Sequence, residues 1–110
     1  MTLKQPTSAT QVGTSYHNVD IITTPRKLIE LCEELDIEYS DNNTGEDKCN
    51  FDFIFYVPEE DLYFTVYDWK EYQPLNLDSS YEFHIGAKDT MSSLEAKEIL
   101  TEFLKRKTWK

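Results

Sequence analysis

Three stretches of the chain alternate apolar and polar residues with a period of two. In residues 50–57, Phe51, Phe53, Phe55 and Val57 share one side, and Asp52, Ile54 and Tyr56 the other. In residues 62–70, Leu62, Phe64 and Val66 oppose Tyr63, Thr65, Tyr67 and Trp69. In residues 81–86, Tyr81, Phe83 and Ile85 oppose Glu82 and His84. Each pattern predicts a strand with one face buried. Residues 58–61 leave room only for a hairpin between the first two. Tyr16, Val19, Ile21 and Ile22 give residues 16–22 the β-propensity of a further short strand.

Two segments follow the helical period instead. Thr24-Pro25 is a helix start, with a hydroxyl at the N-cap and proline at the first helical position. Leu28, Leu31, Cys32 and Leu35 then form one apolar stripe, predicting a helix over 25–35. Ser92-Ser-Leu-Glu95 reads as a capping box. Ala96, Ile99, Leu100, Phe103 and Leu104 continue it as a second helix over 93–107. Residues 41–45 and 73–80 read as loops. The element order is β-α-β-β-β-α. It predicts an α+β fold, a two-layer sandwich with an antiparallel sheet and both helices on one face. Residues 1–13, rich in Thr, Ser and Gln, read as a flexible N-terminal tail to a single domain spanning 14–110.

If the phenylalanine sides meet the helices, the opposite face carries Ile54, Tyr56, Tyr63, Thr65, Tyr67, Trp69 and His84. That surface is too aromatic for ordinary solvent exposure, and reads as an interface or the floor of a binding site.

Charge narrows the choice of partner. The 110 residues hold 21 acids and 11 bases, a net charge of −10. Twelve acids fall between Glu30 and Asp61, against the single base Lys48. Such a field repels DNA and RNA, so nucleic acid is not an expected partner. It attracts a basic protein surface, although a solvated acidic face explains the same residues. No apolar run approaches the roughly 20 residues of a membrane span, and the N-terminus has no signal-like stretch, so a cytoplasmic protein is expected. Cys32 sits on a helical apolar stripe and reads as a buried thiol; Cys49 opens a strand. The pair forms neither a disulfide framework nor a zinc site. His17 and His84, with Asp20 or Asp68, lack metal-ligand spacing, so neither metal nor cofactor is expected.

The segments Thr65-Val-Tyr-Asp-Trp-Lys70 and Phe83-His-Ile-Gly86 carry a resemblance. With Thr14-Ser15 and a hairpin that has Lys48 at its start, the chain from about Gly13 onward resembles a widespread family of small bacteriophage proteins. Phe83 stands where that family has tryptophan, and the glycine that usually follows its Thr-Ser pair has no clear counterpart. The resemblance implies a phage accessory protein acting in the host bacterial cytoplasm, and proteins of that kind and size often inhibit host defence.

Thr14, Ser15, Lys48, Tyr67, Trp69, Lys70, His84 and Gly86 together form a candidate ligand site. Hydroxyls and ammonium groups suit phosphate, aromatic faces stack on bases, and glycine admits close backbone approach. The expected activity is capture without turnover of a nucleotide-derived immune signal, a cyclic nucleotide or ADP-ribose derivative, by a homo-oligomer. A competing reading makes Trp69 and Tyr67 a subunit interface. Another makes Glu30, Glu33, Glu34 and Glu38 a DNA-like surface that blocks a basic host nuclease or CRISPR effector. An enzyme is the minor alternative, a phosphodiesterase with His84 as general base.

Overall fold

The computed structural model describes residues 1–6 and 14–106. Strand β1 (Ser15–Thr23) leads into helix α1 (Pro25–Glu34). Strands β2 (Tyr39–Asp41), β3 (Phe51–Val57), β4 (Leu62–Tyr67) and β5 (Tyr81–Ala87) follow, then helix α2 (Thr90–Lys105). The strands form one sheet in the order β1-β5-β4-β3-β2, with every neighbouring pair antiparallel. The expected α+β sandwich therefore forms, with β2 as an additional edge strand. Three residues carry no readable period, and β2 exists because Tyr39, Ser40 and Asp41 pair with Phe53, Asp52 and Phe51.

The alternation read from the sequence is the alternation of burial. Phe51, Phe53, Phe55, Phe64 and Phe83 are sealed from solvent. They join Leu28, Leu31 and Cys32 of α1 and Ala96, Ile99, Leu100 and Phe103 of α2 in one core. Burying each such ring contributes roughly 1.5–3 kcal/mol. Helix α2 packs on β1, β5 and β4, and α1 packs beside it.

The helix ends show which signals were decisive. The Thr24 hydroxyl accepts a hydrogen bond from the Lys27 N–H at 3.2 Å, as a cap before Pro25 should. Helix α2 starts earlier than its apolar stripe implies. Its cap is Asp89, whose carboxylate accepts from the Ser92 N–H at 2.7 Å and is held below the usual carboxylate range by that bond. Ser92 thus lies inside the first turn rather than capping it. A carboxylate also complements the positive end of the helix dipole.

Two further expectations are corrected. Strand β4 ends at Tyr67 and does not run to Lys70. Asp68 turns inward and is sealed, and Lys70 and Tyr72 take left-handed backbone angles, φ 56° and 53°. Trp69 and Lys70 therefore stand on a loop. The expected loose tail is docked over its first residues: Leu3 is buried in the core, and Lys4 exchanges backbone hydrogen bonds with Tyr56 at 2.9 and 3.0 Å. Strand β2 stops short of that part of β3, so its backbone groups are open to another partner. Residues 7–13 of the expected tail lie outside the described residues. No helix among the described residues is long and apolar enough to cross a membrane.

Candidate functional site

On the face away from the helices, one polar row crosses the whole sheet. Asp20 of β1 pairs with His84 of β5, His84 with Tyr67 of β4, Tyr67 with Asp52 of β3, and Asp52 with Ser40 of β2. Neighbours in such a row are about one strand spacing apart, close enough for direct side-chain interaction.

A bulge in β1 adds Tyr16 to the row. Tyr16 pairs with Gly86 and Asp20 with His84, so four steps along β1 match two along β5. Asn18, at φ 62°, absorbs the excess. The Tyr16 hydroxyl reaches back to the Asp20 carboxylate at 2.9 and 3.0 Å. Its ring stacks on His84, with centroids 3.9 Å apart and planes 8° from parallel. Burial and the Asp20 carboxylate push the Tyr16 hydroxyl up to about 12, so it donates at any physiological pH. His84 Nε2 lies 3.7 Å from Asp20. Tyr67 meets His84 edge-on at 5.5 Å, and Trp69 lies 6.5 Å from His84 at 27°. Each such pair adds roughly 0.5–1.5 kcal/mol beyond its burial.

The two lysines come from a stitched pair of loops. The sealed Asp68 carboxylate accepts from the Asn50 N–H at 2.9 Å, the Phe51 N–H at 2.8 Å and the Asn50 amide at 3.0 Å. The Asn50 amide also donates to the Gln73 carbonyl, and its oxygen accepts from the Gly45 N–H. Gly45 has φ 78°, and a Cβ there would stand 2.6 Å from Gln73 Cα, so glycine is required. Asn43 and Leu75 exchange two more hydrogen bonds across the loops. The Lys70 N–H donates to the Lys48 carbonyl at 2.7 Å. Both ammonium groups consequently sit over Trp69, at 5.8 Å for Lys48 and 5.5 Å for Lys70 from the ring centroid. Trp69 remains 41% exposed.

Five of the eight expected ligand residues are therefore assembled: Lys48, Tyr67, Trp69, Lys70 and His84. The other three are placed differently. Thr14 lines a small cavity with Lys88 and Ser92. Ser15 pairs with Ala87 beside Gly86, and its hydroxyl meets His17 Nε2 at 3.2 Å. That nitrogen also faces the Ala87 carbonyl at 3.2 Å, so the Ser15 hydroxyl and a backbone carbonyl share one ring nitrogen of His17. Gly86 is buried opposite Thr65, and a Cβ there would stand 2.7 Å from the Thr65 hydroxyl. Its lack of a side chain is thus explained by packing. Glu30, Glu33, Glu34 and Glu38 are exposed on α1 and the turn after it, on the helical side of the sheet.

Tyr16, Asp20, Asp52 and the Asp68–Asn50 clamp are the additions. Asp52 is half-buried, and its Oδ1 is sealed without a hydrogen-bond partner. Burial, then the nearby Asp68 charge, raises its carboxyl above the ordinary range. Burial also raises the Cys49 thiol to about 11, so it is not a reactive thiolate. No group of three or more metal-ligating side chains exists among the described residues.

The arrangement is an aromatic row, His84 and Tyr67, flanked by the carboxylates Asp20 and Asp52, with two ammonium groups over the neighbouring Trp69. It can stack a planar ring, neutralise an anion at Trp69, and accept hydrogen bonds at Asp20 and Asp52. Comparison with family models, curated proteins and solved structures gave no match.

Proposed function

We propose that this protein binds a nucleotide-derived signal on the outer sheet face and withholds it without turnover. The observation that carries the reading is the placement of Lys48 and Lys70 over Trp69, beside the Tyr16–His84–Tyr67 stack. Aromatic faces bind bases with little sequence preference, and ammonium groups supply the phosphate contact. The lysines belong to a clamped loop pair, which lowers the ordering cost of binding. The resemblance of Thr65-Val-Tyr-Asp-Trp-Lys70 and Phe83-His-Ile-Gly86 to bacteriophage proteins supplies the setting: an accessory protein that lowers the concentration of a host immune signal. An open face with an exposed Trp69 suits closure by a second copy of the chain.

Native mass spectrometry of the protein, alone and with cyclic nucleotides and cyclic ADP-ribose isomers, tests this reading. It reports subunit number and bound mass together. The expected result is an oligomer carrying ligand of unchanged mass, lost in Lys70→Ala and Trp69→Ala. A ligand-free spectrum across the panel contradicts it. A second reading rests on the exposure of Glu30, Glu33, Glu34 and Glu38. A DNA-like surface on α1 and the turn after it predicts strongly salt-dependent binding to a basic host protein, weakened by charge reversal at those positions.

A further inference from the structure

One edge of the sheet is open. Strand β1 is terminal in the strand order, and among the described residues it pairs only with β5. Its bulge ends at Asp20, so Asp20–Thr23 is a regular edge on which alternate residues point their N–H and C=O groups away from β5. Edge strands commonly carry charges that discourage further pairing. Here the regular stretch carries Ile22, which projects on the outer side and is 72% exposed. On the helical side the edge borders a groove of about 320 Å³, lined by Thr23, Lys27 of α1, and Thr101, Leu104 and Lys105 of α2.

Helix α2 divides its charges between its flanks. Lys97, Thr101 and Lys105 recur every four residues along the flank toward β1. Glu95, Glu98 and Glu102 line the other flank, with Met1 and Phe103. Lys27 and Lys97 have no ion-pair partner among the described residues, and Lys105 meets only Glu102, in an exposed contact of 3.9 Å that holds it loosely. The remaining acids nearby do not neutralise the groove. Glu30 and Glu82 do not line it, and Asp20 lies on the outer side, engaged by the Tyr16 hydroxyl and beside His84. On a chain of net charge −10, the open edge is thus bordered by three lysines.

We propose that the β1 edge docks an extended segment of a partner protein in which acidic and apolar residues alternate, added to the sheet as a sixth strand. The period of a strand sorts the two residue types. The acids project to the helical side, toward Lys27, Lys97 and Lys105. The apolar residues project to the outer side, against Ile22, which keeps the acids away from Asp20. Backbone pairing supplies affinity, and the alternating side chains supply the selection. A second copy of this chain is a poorer occupant. Pairing β1 with β1 about a two-fold axis brings the lysine-bearing flanks of α2 face to face, like charge against like. Strand β5 separates this edge from Tyr67 and Trp69, so the inference stands independently of the nucleotide reading.

The test uses backbone amide NMR spectra of the full chain, titrated with the end-blocked peptide Glu-Val-Glu-Val-Glu-Val-Glu and with its lysine counterpart. The acidic peptide should shift Asp20–Thr23 and Thr101–Lys105 and slow hydrogen exchange at the outward N–H groups of β1. The lysine peptide should leave β1 unmoved. Joint replacement Lys27→Glu and Lys97→Glu, at two exposed positions, should weaken the acidic peptide roughly tenfold while the spectrum keeps the dispersion of the folded chain. The same acidic peptide with every backbone nitrogen methylated keeps its charges, cannot donate to β1, and should not bind there. Absence of shifts at β1 with the acidic peptide overturns the proposal. So do equal shifts with the lysine peptide, undiminished affinity in the double variant, or undiminished binding of the methylated peptide. Shifts at Asp20–Thr23 that depend on protein concentration without peptide assign the edge to a second copy and overturn the partner class.

Discussion

The two faces of the sheet are built from the same strands and obey different rules. On the inner face, phenylalanines, leucines and isoleucines close into one core. On the outer face the same period-two alternation brings out Asp20, His84, Tyr67 and Asp52. There aromatic rings stay partly wet, two lysines crowd one indole, and a carboxylate oxygen lacks a donor. The inner face is explained by burial alone. The outer face holds chemistry that packing does not require, and that excess is the physical case for a binding role.

Substitutions that separate the faces sharpen this comparison. The largest effect belongs to the inner face: Phe64→Ala opens a cavity in a sealed position and should cost about 3–5 kcal/mol in chemical denaturation. Asp68→Ala comes next, at about 3 kcal/mol, because it strands the Asn50 and Phe51 donors in the interior. It should also release the loops that hold Lys48 and Lys70, so ligand binding falls with stability.

Asp52→Asn should move the other way. The Asp52 carboxyl is raised by burial and by Asp68, so its charged form is less favourable in the folded chain than in the unfolded one. Stability is therefore fullest below the ordinary carboxylate pKa and declines as pH rises through the raised value. The variant should melt roughly 2–5 °C higher near pH 7 and show no gain at about pH 3. Cys49 and Tyr67, two further neighbouring groups, remain protonated throughout that window. Trp69→Ala is expected to cost about 1 kcal/mol, because the ring is 41% exposed and gives up its contacts with Tyr67 and His84. If it unfolds the protein instead, the outer face is structural and the contrast between faces collapses.

The elements legible in the sequence are those whose signal is repeated. Phe51, Phe53 and Phe55 state the period of β3 three times, and Leu28, Leu31 and Cys32 state that of α1. Helix α2 was legible in its stripe and not in its start, because Asp89 precedes a serine pair that resembles a cap just as well. Strand β2 and the docking of Leu3 depend on what β3 leaves unpaired, which no local pattern records. The same division holds at the site. Tyr67 and His84 lie on regular strands, so their shared face was readable. Tyr16 joins them only through the bulge at Asn18, which breaks the alternation a reader would extend. Asp68 looks like a surface acid beside Trp69, and its role as a clamp appears only when the chain turns it inward against Asn50.

Trp69 is the reporter that addresses the central claim. The chain has two tryptophans, and replacing the other, Trp109, with phenylalanine leaves Trp69 as the sole indole. Its emission is then followed while cyclic nucleotides and cyclic ADP-ribose isomers are added. The account predicts saturable quenching by at least one of them, abolished by Lys70→Ala at unchanged melting temperature. Emission that stays constant across the panel, or quenching that Lys70→Ala leaves intact, contradicts it.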